Sequence, residues 1–119
     1  MYDFKLIPNK RIFQVEVSGT IDIIEGSKII EELRSRLKSI NASEYVLVLD
    51  GRTVKPASIL VIPSIHSFIN TCYNAPFKKF IFIGDDNLNT YAASMIKSYN
   101  HADKKIILVK STEEAMKHF

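Results

Sequence analysis

Three short runs are apolar throughout: Tyr45-Val-Leu-Val-Leu49, Phe80-Ile-Phe-Ile83 and Ile106-Ile-Leu-Val109. A strand with one wet face alternates apolar and polar side chains. A strand without alternation is covered on both faces, as in the middle of a parallel sheet. Each run closes on a polar or turn-forming residue: Asp50, Gly84 and Lys110. Helical patterns lie between them. Ile29, Ile30, Leu33, Leu37 and Ile40 recur at helical spacing, with Glu31, Glu32, Arg34, Arg36 and Lys38 between, which is an amphipathic helix. Residues 59–73 are apolar at helical spacing, with Pro63 placed in a first turn. Tyr91, Met95, Ile96 and Tyr99 share one side of a short helix over residues 91–99.

The N-terminal segment differs. Residues 2–7 and 11–18 alternate, with Phe13, Val15 and Val17 opposed to Gln14 and Glu16, and Pro8-Asn9-Lys10 between them reads as a turn. Asp22 with Glu25, and Ser111 with Glu114, have the spacing that caps a helix. The order is β-β-α-β-α-β-α-β-α. A hairpin feeding three βα units predicts an α/β fold with a mostly parallel sheet flanked by helices. The expected organisation is one domain over residues 1–119.

Composition narrows the function classes. Apolar residues are 46% and charged residues 24% of the 119, as in an ordinary globular chain. Cys72 stands alone and no leader-like segment is present, so a reducing cytoplasm is expected. No apolar run approaches the ~20 residues of a membrane helix. The net charge of +3 comes from scattered pairs such as Lys10-Arg11, Lys78-Lys79 and Lys104-Lys105. A nucleic-acid binder concentrates such charge on one face, so no nucleic-acid partner is expected.

Catalytic chemistry finds no complete motif. His66, His101 and His118 lie far apart, and a zinc site needs three or four convergent ligands. Cys72 falls late in a helical pattern, on the apolar side. Asp85-Asp-Asn-Leu-Asn89 lacks the glycine and final glutamate of a calcium loop and suits a helix N-terminus instead. The four glycines form no phosphate loop. No enzyme activity, cofactor or metal is expected.

Function is expected at the ends of the apolar strands, where open α/β sheets meet ligands and partners. Asp50 ends the first of them. Residues 51–58 read as a polar loop with Arg52, Thr53 and Lys55, leading to Ser58. Asp50, Gly84 and Lys110 together would suit a degenerate receiver-like domain, with an aspartate and a lysine across one site. Against it, the second strand ends Ser18-Gly-Thr-Ile-Asp22 with one acid, where a Mg²⁺ site wants a pair.

The hairpin ending Val15-Glu-Val-Ser-Gly-Thr-Ile-Asp22, the helix after it, and the strand Val46-Leu-Val-Leu-Asp50 with its loop resemble the sulfate transporter and anti-sigma factor antagonist (STAS) superfamily. The chain is most similar to its small stand-alone, bacterial anti-anti-sigma-like members. Gly19-Thr-Ile-Asp22 matches the family's Gly-x-hydrophobic-Asp ending. The resemblance implies a non-enzymatic cytoplasmic regulator whose partner is an anti-sigma factor, a kinase-like protein or another regulator. It also implies a phosphorylatable serine after the strand aspartate. The family has an Asp-Ser-Ser-Gly-like run there; this chain has Ser58-Ile-Leu-Val61, with Thr53 and Ser64 as neighbouring hydroxyls. The expected partner-binding or phosphorylation set is Asp22, Asp50, Arg52, Thr53, Lys55 and Ser58. Ile59-Leu-Val-Ile-Pro63 opens an alternative: core, an interface between two copies, or a groove for a small ligand or lipid.

Overall fold

The alternating segments form the expected hairpin. Strand β1 (Tyr2–Ile7) pairs antiparallel with β2 (Ile12–Gly19), setting Phe4 opposite Val15 and Leu6 opposite Phe13. One 3-10 turn, Pro8–Lys10, connects them, with proline presetting its backbone. The left-handed residue that closes the turn is Arg11, at φ 56°. An L residue there costs about 1–2 kcal/mol. The Arg11 carbonyl accepts from the Val46 N–H at 2.9 Å, which ties the turn to the next strand. The computed structural model describes residues 2–20, 22–54, 62–97 and 105–118.

From β2 onward the strands run parallel. Helices α1 (Ile23–Leu37), α2 (Ile62–Asn74) and α3 (Asp86–Ile96) alternate with β3 (Val46–Val54), β4 (Lys79–Ile83) and β5 (Ile106–Val109). A short helix, α4 (Thr112–Met116), follows. The spatial order of the sheet is the chain order, β1-β2-β3-β4-β5. Each parallel step goes the same way, and right-handed crossovers then put every connecting helix on one face.

The core shows that consequence. Ile29, Ile30 and Leu33 of α1, Phe68 and Ile69 of α2, and Leu88, Ala92 and Ile96 of α3 pack on the face made by Phe13, Val15, Leu47, Leu49, Phe80 and Phe82. The second face holds a smaller cluster of Ile12, Val48, Ile81, Ile83 and Val109 with Ala115 of α4. The strands are therefore apolar on both sides, as their composition required, but the helical cover is unequal. No helix among the described residues is long and apolar enough to cross a membrane.

Two boundaries move. Helix α3 begins at Asp86, five residues before the expected start at 91, because Asp85 is its cap and accepts from the Leu88 N–H at 2.8 Å. Residues 51–54, expected as loop, continue β3 as strand. The other caps form as read: Asp22 accepts from the Glu25 N–H at 2.7 Å, and Ser111 from the Glu114 N–H at 3.1 Å.

Candidate functional site: the C-terminal edge of the parallel strands

The extension of β3 builds the most organised group on this edge. Glu16 of β2 lies beside Asp50, but the next pairs are Ser18 with Thr53 and Gly19 with Val54. The stretch of β3 therefore carries one extra residue, a bulge around Gly51 and Arg52. Bulges bend a strand and re-aim its side chains, and they concentrate at sheet ends and functional sites. Asp50 and Arg52, two apart, fall on one side of the strand. Strand alternation from Val48 puts Asp50 on the second face, opposite the face that α1 covers.

Asp50 and Arg52 form a fork. Arg52 Nε donates to Asp50 Oδ1 at 3.0 Å and Nη2 to Oδ2 at 2.8 Å, while the Arg52 backbone N–H donates to Oδ1 at 3.2 Å. The carboxylate is well covered, with 12% of its side chain exposed, and the guanidinium is 40% exposed. Burial pushes the Asp50 carboxyl up, but the Arg52 hydrogen bonds and charge outweigh it and hold the pKa below the ordinary value. For Arg52, the bonds from Asp50 come first, and the charges of Asp50 and Glu16 add to them, so its pKa is raised against the opposing effect of burial.

A pH dependence follows. The unfolded aspartate has pKa ~3.9 and the folded one lies lower. The fork's stabilisation is complete above the unfolded pKa and disappears as pH falls through the folded value. Denaturant titration of wild type and Asp50→Asn is expected to give a gap at pH 7 that closes on acidification below about pH 4. A gap that stays constant down to pH 2.5 would show that the fork is not what the carboxylate contributes.

The remaining predicted residues divide. Thr53 lies next to Ser18 in the bulged register and is exposed. Asp22 caps α1 just beyond the end of β2, with its carboxylate already occupied by the Glu25 N–H. Asp22 thus opens the helix-covered face, whereas the Asp50–Arg52 fork belongs to the other. Lys55 and Ser58, together with 59–61 of the greasy segment, lie outside the described residues.

The receiver-like alternative is corrected by two findings. Doubly wound receivers have strand order 2-1-3-4-5, whereas this sheet runs in chain order with an antiparallel first strand. Lys110 also does not serve Asp50: its Nζ lies 2.7 Å from Asp86 Oδ1, and that partner raises its pKa. Asp85, Asp86 and Asn89 are all engaged by protein groups at the start of α3. Among the described residues, no three His, Cys, Asp or Glu side chains gather to hold a metal ion.

Ile24 escaped the sequence reading. It is 69% exposed in the first turn of α1, beside Asp22 and Glu25. The signal was present, since Ile24 falls on the far side of the helix from Ile29, Ile30 and Leu33. An apolar residue off the stripe has no core to enter.

No protein-family model and no curated protein matches the chain. Among solved structures it is similar to an uncharacterized protein of the DUF3478 family from Shewanella loihica PV-4, described as having a SpoIIAA-like fold. The two are 14% identical, with a TM-score of 0.67 over 99% of this chain and 91% of that one. The chain thus has a SpoIIAA-like α/β fold, and the likeness at this identity concerns the fold alone.

Proposed function

We propose that the chain is a non-enzymatic, cytoplasmic regulatory module that binds another protein through the C-terminal strand edge, as an anti-sigma factor antagonist does. The fork at the end of β3 supports this reading most directly. A guanidinium held by two side-chain bonds loses little further freedom on docking, and it still has 40% of its side chain exposed. Arginine in such a pre-organised position is a common interface hot spot. Thr53 lies beside it, and Asp22 with the exposed Ile24 offers an apolar anchor on the same sheet edge. Lys55 and Ser58 follow in sequence and complete the proposed surface. Phosphorylation of Ser58 would add about −1.5 to −2 charge close to Arg52 in sequence and change what docks there.

Affinity capture tests the surface. Wild type is expected to recover a partner that Arg52→Ala/Lys55→Ala recovers about tenfold less well, the scale of an arginine hot spot. Ile24→Asp should weaken the same partner. Undiminished recovery by both variants would remove this edge as the docking site.

A further inference from the structure

The opposite edge of the sheet, where the parallel strands begin, holds a cleft of about 240 Å³. Ile12 of β2 and Val46 of β3 line its apolar part, and Lys10, Arg11, Lys78 and Lys79 surround them, with Glu44 as the single acid among the described lining residues. Four of the chain's sixteen lysines and arginines thus meet one of its thirteen acids, a local charge of +3. That equals the charge of the whole chain, so the remaining charged residues balance. The excess that looked scattered along the sequence is gathered here by the fold.

Some basic side chains at this edge have structural duties. Helix C-termini attract cations because their last carbonyls lack partners. Lys105 donates to the Tyr73 and Ala75 carbonyls at the end of α2, and Lys79 to the His118 carbonyl beyond α4, at 3.0 Å. Lys10 and Lys78 have no such duty: both are exposed, and neither side chain makes a hydrogen bond or ion pair with described residues. Arg11 gives one N–H to Glu44 at 2.6 Å and is held in the left-handed region at φ 56°. Its backbone and that of Lys78 are fixed to β3 and the residue just before it by the bonds Val46 N–H to Arg11 and Lys78 N–H to Tyr45. The cations therefore stand on a rigid base, and a carboxylate already occupies part of the cleft.

We infer that this cleft is a binding site for a compact polyanion with at least two phosphate groups, free or attached to a small molecule. One phosphate carries about −1.5 to −2 charge near neutral pH. A single group leaves the cleft positive, and two neutralise it. The volume lies below the ~300 Å³ at which pockets for drug-sized ligands begin, which suits a phosphate chain. Its phosphates lie between Lys10 and Lys78, with Arg11 turning from Glu44 to the ligand.

The probe is inorganic pyrophosphate, followed by calorimetry and by backbone amide shifts, at low salt and again at about 150 mM salt, where exposed charges are screened beyond ~8 Å. Saturable binding is expected, with shifts centred on Arg11, Val46 and Lys78. Lys10→Ala/Lys78→Ala should weaken it about tenfold, as expected for removing two near-surface charges. Glu44→Gln should tighten it by about threefold, because the competing carboxylate is gone. ADP in place of pyrophosphate separates the sources: tighter binding of ADP means an attached diphosphate, and equal binding a free one. Lys28→Ala/Lys38→Ala removes the same charge elsewhere. An equal loss in that control, or no saturable binding at low salt, overturns the inference.

Discussion

Phe80→Ala is expected to lower the unfolding free energy by about 3–5 kcal/mol, the range for deleting a buried aromatic ring. Phe80 is fully buried on the interior strand β4, between Leu47 of β3 and Ile106 of β5. Its ring meets Phe68 of α2 edge-on at 5.9 Å and stacks on Phe82 at 6.1 Å. Removing it opens a cavity between β4 and α2, and each lost ring pair adds about 0.5–1.5 kcal/mol beyond area alone. Stability for a chain of this length is on the order of 6–18 kcal/mol, so the variant stays folded but loses a large fraction. Thermal unfolding should shift down by about 10–20 °C. Met116→Ala, at a side chain 59% exposed, is the control and should stay within about 0.5 kcal/mol. A Phe80→Ala shift as small as the control's would mean that the helices do not close on the sheet as described.

This variant also separates stability from the proposed docking role. Phe80 faces the helix-covered side, whereas Asp50 and Arg52 lie on the other, at the strand end. Phe80→Ala at low temperature should therefore keep the partner that Arg52→Ala loses, while Arg52→Ala keeps most of the stability. The fork is partly solvated, and ion pairs of that kind contribute about 0–1 kcal/mol.

What the sequence made legible was local. The hairpin, the stripe of α1 and the caps at Asp22 and Ser111 depend on residues within one turn or one strand of each other. The uninterrupted runs showed that β3, β4 and β5 were buried, because hydropathy reports burial directly. The extension of β3 through Val54 was not legible: Gly51-Arg-Thr-Val54 has loop-like composition, and it is strand because Ser18 and Gly19 of β2 lie beside it. Arg52 consequently looked like a free anchor, and its fork with Asp50 came to light only with the bulge. The same holds for Lys110 with Asp86, and for the basic cleft, where residues near 10, 44 and 78 meet through strand order alone. Charge that looked scattered in sequence is a patch in space.

Gly84→Ala is expected to destabilise by about 1–3 kcal/mol through overpacking alone, and the reason lies in Asn89. A methyl group on Gly84 would stand 2.7 Å from Asn89 Oδ1, 2.9 Å from the Phe82 ring and 3.3 Å from Leu88. Asn89 cannot yield freely. Its Nδ2 donates to the carbonyls of Gly84 and Val109, both at 3.1 Å, which clasps the start of α3 to the ends of β4 and β5. Its Oδ1 is buried and unpaired among the described residues, turned toward Gly84. Reversing the amide would set that oxygen against two carbonyls, so the unpaired acceptor is the cost of holding the clasp. A methyl group at 84 displaces the side chain and adds about 0.5–1.5 kcal/mol for each hydrogen bond broken. The two positions should therefore be coupled. Asn89→Ala alone loses the clasp, but it also clears the space that the methyl needs. The double variant should then be more stable than the sum of the single losses predicts, by about 1 kcal/mol or more. Denaturant melts of the four proteins measure this directly. Strict additivity would mean that the methyl group is resisted by Phe82 and the backbone, and that Asn89 is not what makes glycine necessary at the end of β4.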